Sequence, residues 1–264
     1  SRTGDVLFFY LQKNSLTDLK AYVRRSTDDA FTWGEPVLVT AEPGYHVMNN
    51  ARVIQLRSGR LLAPVASSKQ VWTKNDDFRT SVYLSDDDGR TWRRSRTLLS
   101  APKRGAMEPG LVELKDGRVM QIIRTQTGFI WRSFSSDGGE TWTDAAPWDV
   151  ESPESPATLA VTPGGDWLLV WNPKVVWSNP EKTVLGANHG GARTPLATMM
   201  SADEGRTWSP SRYLEGNPDS TFAYTSVTFH EGRALLTYYD FPKGGKLLSL
   251  KFKSVPLAWF RAAP

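Results

Sequence analysis

The sequence predicts an all-β protein, a β-propeller with at least five visible blades, the earliest of which lacks its opening strand. Three observations carry this. An eight-residue turn motif repeats along the chain, a second glycine turn precedes each copy, and no segment combines helical periodicity with caps.

The long motif has the pattern S-x-D-x-G-x-T-W. It occurs at Ser85–Trp92, Ser135–Trp142 and Ser201–Trp208, and a worn copy at Ser26–Trp33 has Ala30 where the others have glycine. Each residue type suits a turn. The Asp side chain bonds backbone N–H groups just ahead of it. Glycine accepts a positive φ. Threonine returns the chain to β, and tryptophan anchors the turn between sheets. The copies begin at residues 26, 85, 135 and 201, so they lie 59, 50 and 66 residues apart. That spacing suits one four-stranded blade per copy with loops of varying length. The Asp residues of these boxes are read as structural.

The shorter turns are Thr3-Gly4-Asp5, Ser58-Gly59-Arg60, Asp116-Gly117-Arg118, Gly164-Gly165-Asp166 and Glu231-Gly232-Arg233. An apolar strand follows each: Val6–Phe9, Leu61–Val65, Val119–Ile123, Trp167–Trp171 and Ala234–Tyr238. Runs such as Arg52–Leu56 and Gly110–Leu114 precede them, as expected of hairpins. A blade therefore reads strand one, glycine turn, strand two, loop, strand three, Asp box, strand four. Only three residues precede Gly4, so the first blade is expected to lack strand one. Residues 1–264 are expected to form one propeller domain, incomplete at its N-terminus.

Composition narrows the function. The chain has 32 Lys+Arg against 28 Asp+Glu, scattered rather than striped, which argues against a nucleic-acid partner. An anionic small ligand needs only a few well-placed arginines. No apolar run reaches the length of a membrane span, and a signal peptide is not expected in the opening residues. There is no cysteine. His46, His189 and His230 lack metal-ligand spacing, so no metal and no cofactor is expected.

The blade pattern gives each strand a direction, and so places certain residues on one face. Starts of strand one, ends of strand two and starts of strand three share the face opposite the boxes. Glu108 and Asn50 each lie nine residues before the glycine of their turn, and Tyr224 lies eight before Gly232. Arg52 opens the strand after Asn50. Arg124 ends a strand two, and Arg193 starts a strand three. A carboxylate, a phenol and two arginines converging on one mouth suit a concave ligand site.

In these residues the chain resembles the exo-α-sialidases. The resemblance lies in Met107-Glu108-Pro109-Gly110 followed by Ile123-Arg124-Thr125, then Ala192-Arg193-Thr194-Pro195-Leu196, and last Ala223-Tyr224-Thr225-Ser226. It covers roughly residues 45–260. It implies a six-bladed β-propeller of the sialidase type, of which about five blades are visible and the first is missing, and a retaining exo-glycosidase acting on terminal sialic acid or a related 2-keto-3-deoxy sugar acid. Tyr224 would be the nucleophile with Glu108 as its base, the tyrosine exception to paired-carboxylate glycosidases. Arg124 and Arg193 would clamp the substrate carboxylate, with Asn50 and Arg52 as further substrate contacts. The family's first-blade arginine has no counterpart here. For its acid/base aspartate, Asp18 is the first candidate and Asp77 the second. The partner implied is a sialylated or other acidic glycan, and its extracellular occurrence implies a secreted or periplasmic protein. Linkage preference would belong to rim loops such as 173–192. Two other functions stay open: a non-catalytic Asp-box propeller that binds glycans or proteins, and a propeller glycosidase or lyase for another acidic sugar.

Overall fold

The computed structural model describes residues 1–73, 76–173 and 193–262. The chain divides into two compact units, one of residues 1–121 with 133–146, the other of residues 122–132 with 147–264.

Among the described residues nearly all regular structure is β. In the first unit β1 (Val6–Lys13), β2 (Leu19–Ser26), β3 (Val37–Leu38), β4 (Tyr45–Val47), β5 (Ile54–Gln55), β6 (Leu61–Ser68), β7 (Arg79–Ser85) and β8 (Arg93–Arg94) follow in order. They make one eight-stranded sheet in the order β1-β2-β4-β6-β7-β8, with β3 on β2 and β5 on β6. Separate four-stranded blades were expected here, so the first two repeats depart from the sequence reading. The join is β4, which pairs with Leu19 in parallel and with Ala66–Ser68 antiparallel. His46 pins it there. Its ring bonds the Ser67 hydroxyl at 2.7 Å and the Glu42 carbonyl at 2.8 Å.

The next two repeats follow the expected four-stranded pattern. Strands β9 (Met107–Glu113), β10 (Val119–Arg124), β11 (Phe129–Ser135) and β12 (Ala146–Glu151) form a four-stranded sheet in the order β12-β11-β10-β9. In the second unit β13 (Thr158–Val161), β14 (Trp167–Trp171), β15 (Leu196–Ser201) and β16 (Arg212–Glu215) form the next. A three-stranded antiparallel sheet follows, with β17 (Ser220–His230), β18 (Arg233–Pro242) and β19 (Ser249–Pro256). The short turns repeat one hydrogen-bond pattern. The Gly59, Gly117 and Gly165 amides donate to the carbonyls of Leu56, Leu114 and Thr162. The amides of those same three residues donate to Arg60, Arg118 and Asp166.

Two expectations are corrected in detail. Strand one of the second repeat is only Ile54–Gln55, because Ala51 stands at φ 54° and turns the chain just before it. A helix also occurs, α1 (Leu257–Arg261), too short for periodicity to reveal. It forms because Phe260 inserts into the core beside Leu236 and Tyr238, and Arg212 bonds the carbonyls of Trp259 and Ala262 at its end.

The boxes fold as their residue types require. Asp137 accepts from the Thr141 amide at 3.0 Å and the Ser135 hydroxyl at 2.7 Å, while Ser135 accepts from the Gly139 amide at 2.8 Å. The other copies repeat this around Asp28, Asp87 and Asp203. Only Trp142 becomes buried, its indole N–H donating to the Gly139 carbonyl at 3.0 Å. Trp33, Trp92 and Trp208 are half-buried, so the fully buried anchor expected of each box is found once. Trp92 meets Phe9 edge-on, and Trp208 meets Trp148.

Each unit has its own core. In the first, Ala21, Val23, Ala63, Val65 and Tyr83 pack with Leu7, Phe9 and Trp92. In the second, Leu168, Val170, Leu196, Phe222 and Leu236 form the centre.

Two predictions follow from the boxes. Ala30 is held at φ 70°, where the other copies have glycine at φ 77° to 92°. A left-handed alanine costs about 1 kcal/mol that glycine avoids, so Ala30→Gly raises the urea midpoint without changing the slope. The second concerns acid. Burial alone would raise Asp87 and Asp137, but threonine and serine hydroxyls and the threonine amides bring each carboxyl to about 2. The Thr32 hydroxyl and amide bring Asp28 to about 2 as well. Folded values below the unfolded value of about 3.9 stabilise the native state above that pH. This contribution disappears as pH falls from about 4 to 2. Urea midpoints measured across that range fall less steeply for Asp87→Asn with Asp137→Asn than for the parent.

Candidate active site

Strand β10 is buried along its whole length and delivers Arg124 at its end, its side chain 5% exposed. A buried guanidinium needs a partner, because desolvation is costly for any charge. The partner is Glu154. Its Oε1 lies 3.2 Å from Arg124 Nη2, and its Oε2 accepts from Gln126 Nε2 at 2.7 Å. Glu154 is 0% exposed and stands between Pro153 and Pro156, just before β13.

The same residue holds the second arginine by its main chain. Arg193 Nη2 donates to the Glu154 carbonyl at 3.0 Å, and Nη1 donates to Tyr239 Oη at 2.8 Å. The Arg193 guanidinium also lies over the Tyr224 ring, 5.7 Å from its centroid. Tyr224 and Tyr239 are tilted neighbours with centroids 5.4 Å apart. Arg124, Arg193 and Tyr224, named from sequence, therefore gather in one cluster with Glu154 as its hub.

Backbone irregularity aims the tyrosine. Ala223 pairs with Tyr239 and Ser226 with Thr237, so β17 carries one more residue than β18 across this stretch. The bulge places Tyr224 at φ 58°. Thr158 Oγ1 donates to the Thr225 carbonyl at 2.7 Å and fixes the bulge from β13. Asn172 ties the cluster's segments together. It accepts from Ser155 Oγ at 2.5 Å and donates to the carbonyls of Pro195 at 3.0 Å and Phe222 at 3.2 Å.

In the first unit Glu108 opens β9 at φ 41°, a strained value for a residue before proline. Asn50 is exposed and Arg52 is buried; both line a cavity of about 680 Å³ against β1. Asp18 is half-buried at the tip of the β1–β2 hairpin. Its carboxylate accepts from Asn14 Nδ2 at 2.9 Å, and its carbonyl closes the turn. Asp77 is exposed and paired with Arg79 at 3.3 Å. The buried acid of that loop is its neighbour Asp76, 1% exposed and 2.9 Å from Arg104.

Glu154, Gln126, Asn172 and Tyr239 were missed in the sequence. Glu154 lies eleven residues before Gly165, two beyond the offset that found Glu108 and Asn50. The run Glu151-Ser152-Pro153-Glu154-Ser155-Pro156 was the available signal, since two prolines stiffen the approach to a strand. His189 and all of the 173–192 rim loop except residue 173 lie outside the described residues. Among the described residues no three His, Asp or Glu side chains gather as a metal site, and no helix is long and apolar enough to cross a membrane.

Antiparallel sheets repeated along the chain, with the same Asp-box turn closing successive repeats, define a β-propeller protein of the Asp-box class. The chain belongs to the BNR repeat-like domain family, whose pattern matches residues 1–236. It is 27% identical over 251 residues to a sialidase of Micromonospora viridifaciens, covering 91% of this chain and 36% of that protein. A sialidase of Bacteroides fragilis is 24% identical, with 82% of this chain and 38% of that protein covered. The chain thus spans little more than a third of the length of these curated relatives. Among solved structures, the leech intramolecular trans-sialidase in complex with 2,7-anhydro-Neu5Ac aligns with a TM-score of 0.68 at 20% identity, covering 91% of this chain and 36% of that one. A likeness of that kind shows the fold, a sialidase-type propeller.

The Asn172 contacts generate a prediction. Asn172→Ala removes three buried hydrogen bonds and costs about 2–3 kcal/mol. Chemical denaturation reads this as a lowered midpoint.

Proposed function

We propose that the protein is a retaining exo-glycosidase that releases terminal α-linked sialic acid or a related 2-keto-3-deoxy sugar acid. The observation that carries this reading is the buried arginine pair, anchored by one residue, with Arg193 directly over the ring of Tyr224. Two guanidiniums with fixed forks suit a carboxylate. A tyrosine beside them suits attack on the carbon that bears it.

The chemistry favours a phenol. A substrate carboxylate next to the anomeric carbon repels an anionic nucleophile, whereas a neutral phenol approaches without that penalty. Tyr224 Oη would bond to the anomeric carbon as the glycosidic bond breaks, and its proton would pass to Glu108. The Arg193 guanidinium stabilises negative charge developing on the ring. Asp18 is the proposed acid for the leaving oxygen and the base for the water that then releases the sugar. Asn50 and Arg52 are proposed contacts to the sugar. The positive φ of both Glu108 and Tyr224 supports the assignment, because such strain collects at functional positions. A sialylated or other acidic glycan is the proposed partner, and a secreted or periplasmic protein the proposed setting.

Calorimetry with the 2-deoxy-2,3-dehydro analogue of sialic acid tests the pocket. Binding is expected, and Arg193→Ala weakens it by about 2 kcal/mol or more. Hydrolysis of an aryl sialoside is expected to vanish in Tyr224→Phe while the analogue still binds. Binding without turnover in the parent would favour the non-catalytic glycan-binding reading instead. Absence of both in folded protein would sink the sugar-acid reading.

A further inference from the structure

The structure assigns Glu154 a role beyond holding its neighbours: we infer that it is a built-in counter-ion that sets the arginine pair to accept a singly charged anion. The inference rests on the proposed anion-binding role of that pair. Glu154 meets the two arginines in different ways. Its carboxylate pairs with Arg124 at 3.2 Å, whereas Arg193 is held by its main-chain carbonyl at 3.0 Å. The carboxylate also accepts from Gln126 at 2.7 Å, so a second group fixes its orientation.

Charge follows from that geometry. Arg124 and Arg193 carry +2 together, and Glu154 returns the three side chains to +1. All three are buried, where a nearby charge acts more strongly than in water. A carboxylate ligand brings one negative charge, which Glu154 repels once. A dianion such as a phosphonate brings two, and the second is repelled by Glu154 at close range. Glu154 therefore discriminates carboxylates from dianionic groups of similar size. Because Arg193 is anchored by the backbone, replacing the Glu154 side chain changes the charge and leaves that anchor in place.

The test compares two probes, the 2-deoxy-2,3-dehydro sialic acid analogue and its counterpart with a phosphonate in place of the carboxylate. Calorimetry is run at about pH 8, above the second ionisation of such a group. The parent is expected to prefer the carboxylate. Glu154→Gln is expected to shift the affinity ratio toward the phosphonate by about tenfold or more, since the lost charge acts twice on a dianion and once on a monoanion. Glu154→Asp keeps the charge and is expected to keep the ratio near that of the parent. A purely structural role would weaken both probes together and leave the ratio unchanged in Glu154→Gln, which would overturn the inference. If Glu154→Gln yields no folded protein, Gln126→Lys sets an ammonium beside the same carboxylate, and an unshifted ratio there overturns it equally. A parent that binds the carboxylate probe with no ratio shift in the variants sinks this inference alone. A parent that binds neither probe sinks the proposed function and this inference with it.

Discussion

A carboxylate that accepts from the hydroxyl and the amide of the threonine four residues ahead is the interaction on which this molecule is built. It recurs around Asp28, Asp87, Asp137 and Asp203. Each instance satisfies turn amides that would otherwise face water, and each holds two consecutive residues at positive φ. The turn then returns the chain antiparallel to the strand it left. Strands of six or seven residues on the near side, β7, β11 and β15, run into this turn, which sets their register together with their apolar pattern. At Gly205 the constraint is steric as well, since a Cβ there would approach Trp148 and Trp167 to 2.8 and 3.0 Å.

Regular turns at one end of the strands allow irregular, charged structure at the other. In the second unit Arg124 and Arg193 are both nearly enclosed, and each has a specific partner. Removing one member of such a set leaves an uncompensated buried charge, which is strongly destabilising. Glu154 meets that requirement with one residue for two arginines. Asn172 then links the Glu154 segment, through Ser155, to the segments that carry Arg193 and Tyr224. The arginines are thereby part of one hydrogen-bonded network, in which bonds polarise and strengthen one another.

Strain is concentrated where chemistry is proposed. Apart from turn positions, Glu108 at φ 41° and Tyr224 at φ 58° stand out, because both lie inside β-strands. A strand residue at positive φ interrupts the ladder, and the bulge in β17 is the visible consequence. The surrounding sheet holds such a conformation only because its other contacts over-determine it.

Much of this was legible in the sequence. The Asp boxes and glycine turns identify themselves, because their hydrogen bonds close within five residues and depend on local residue types. The same periodicity located Arg124, Arg193 and Tyr224, since a repeated blade fixes which strand ends share a face. Other features were settled only in the tertiary structure. Local spacing could not show that β4 would fuse the first two repeats, as its partners lie twenty or more residues away in Leu19 and Ser67. Nor could it show that Trp142 alone among the box tryptophans would be buried, or that Phe260 would draw the last residues into a helix. Glu154 is the clearest case. In the chain it is one acidic residue between two prolines, and its meaning comes entirely from Arg124 thirty residues before it and Arg193 thirty-nine after. The turns and the strand periodicity could be read from residue order, because they are short-range matters of φ and local hydrogen bonding. Which buried charge compensates which emerges only once the chain is folded, because desolvation is a property of the surroundings.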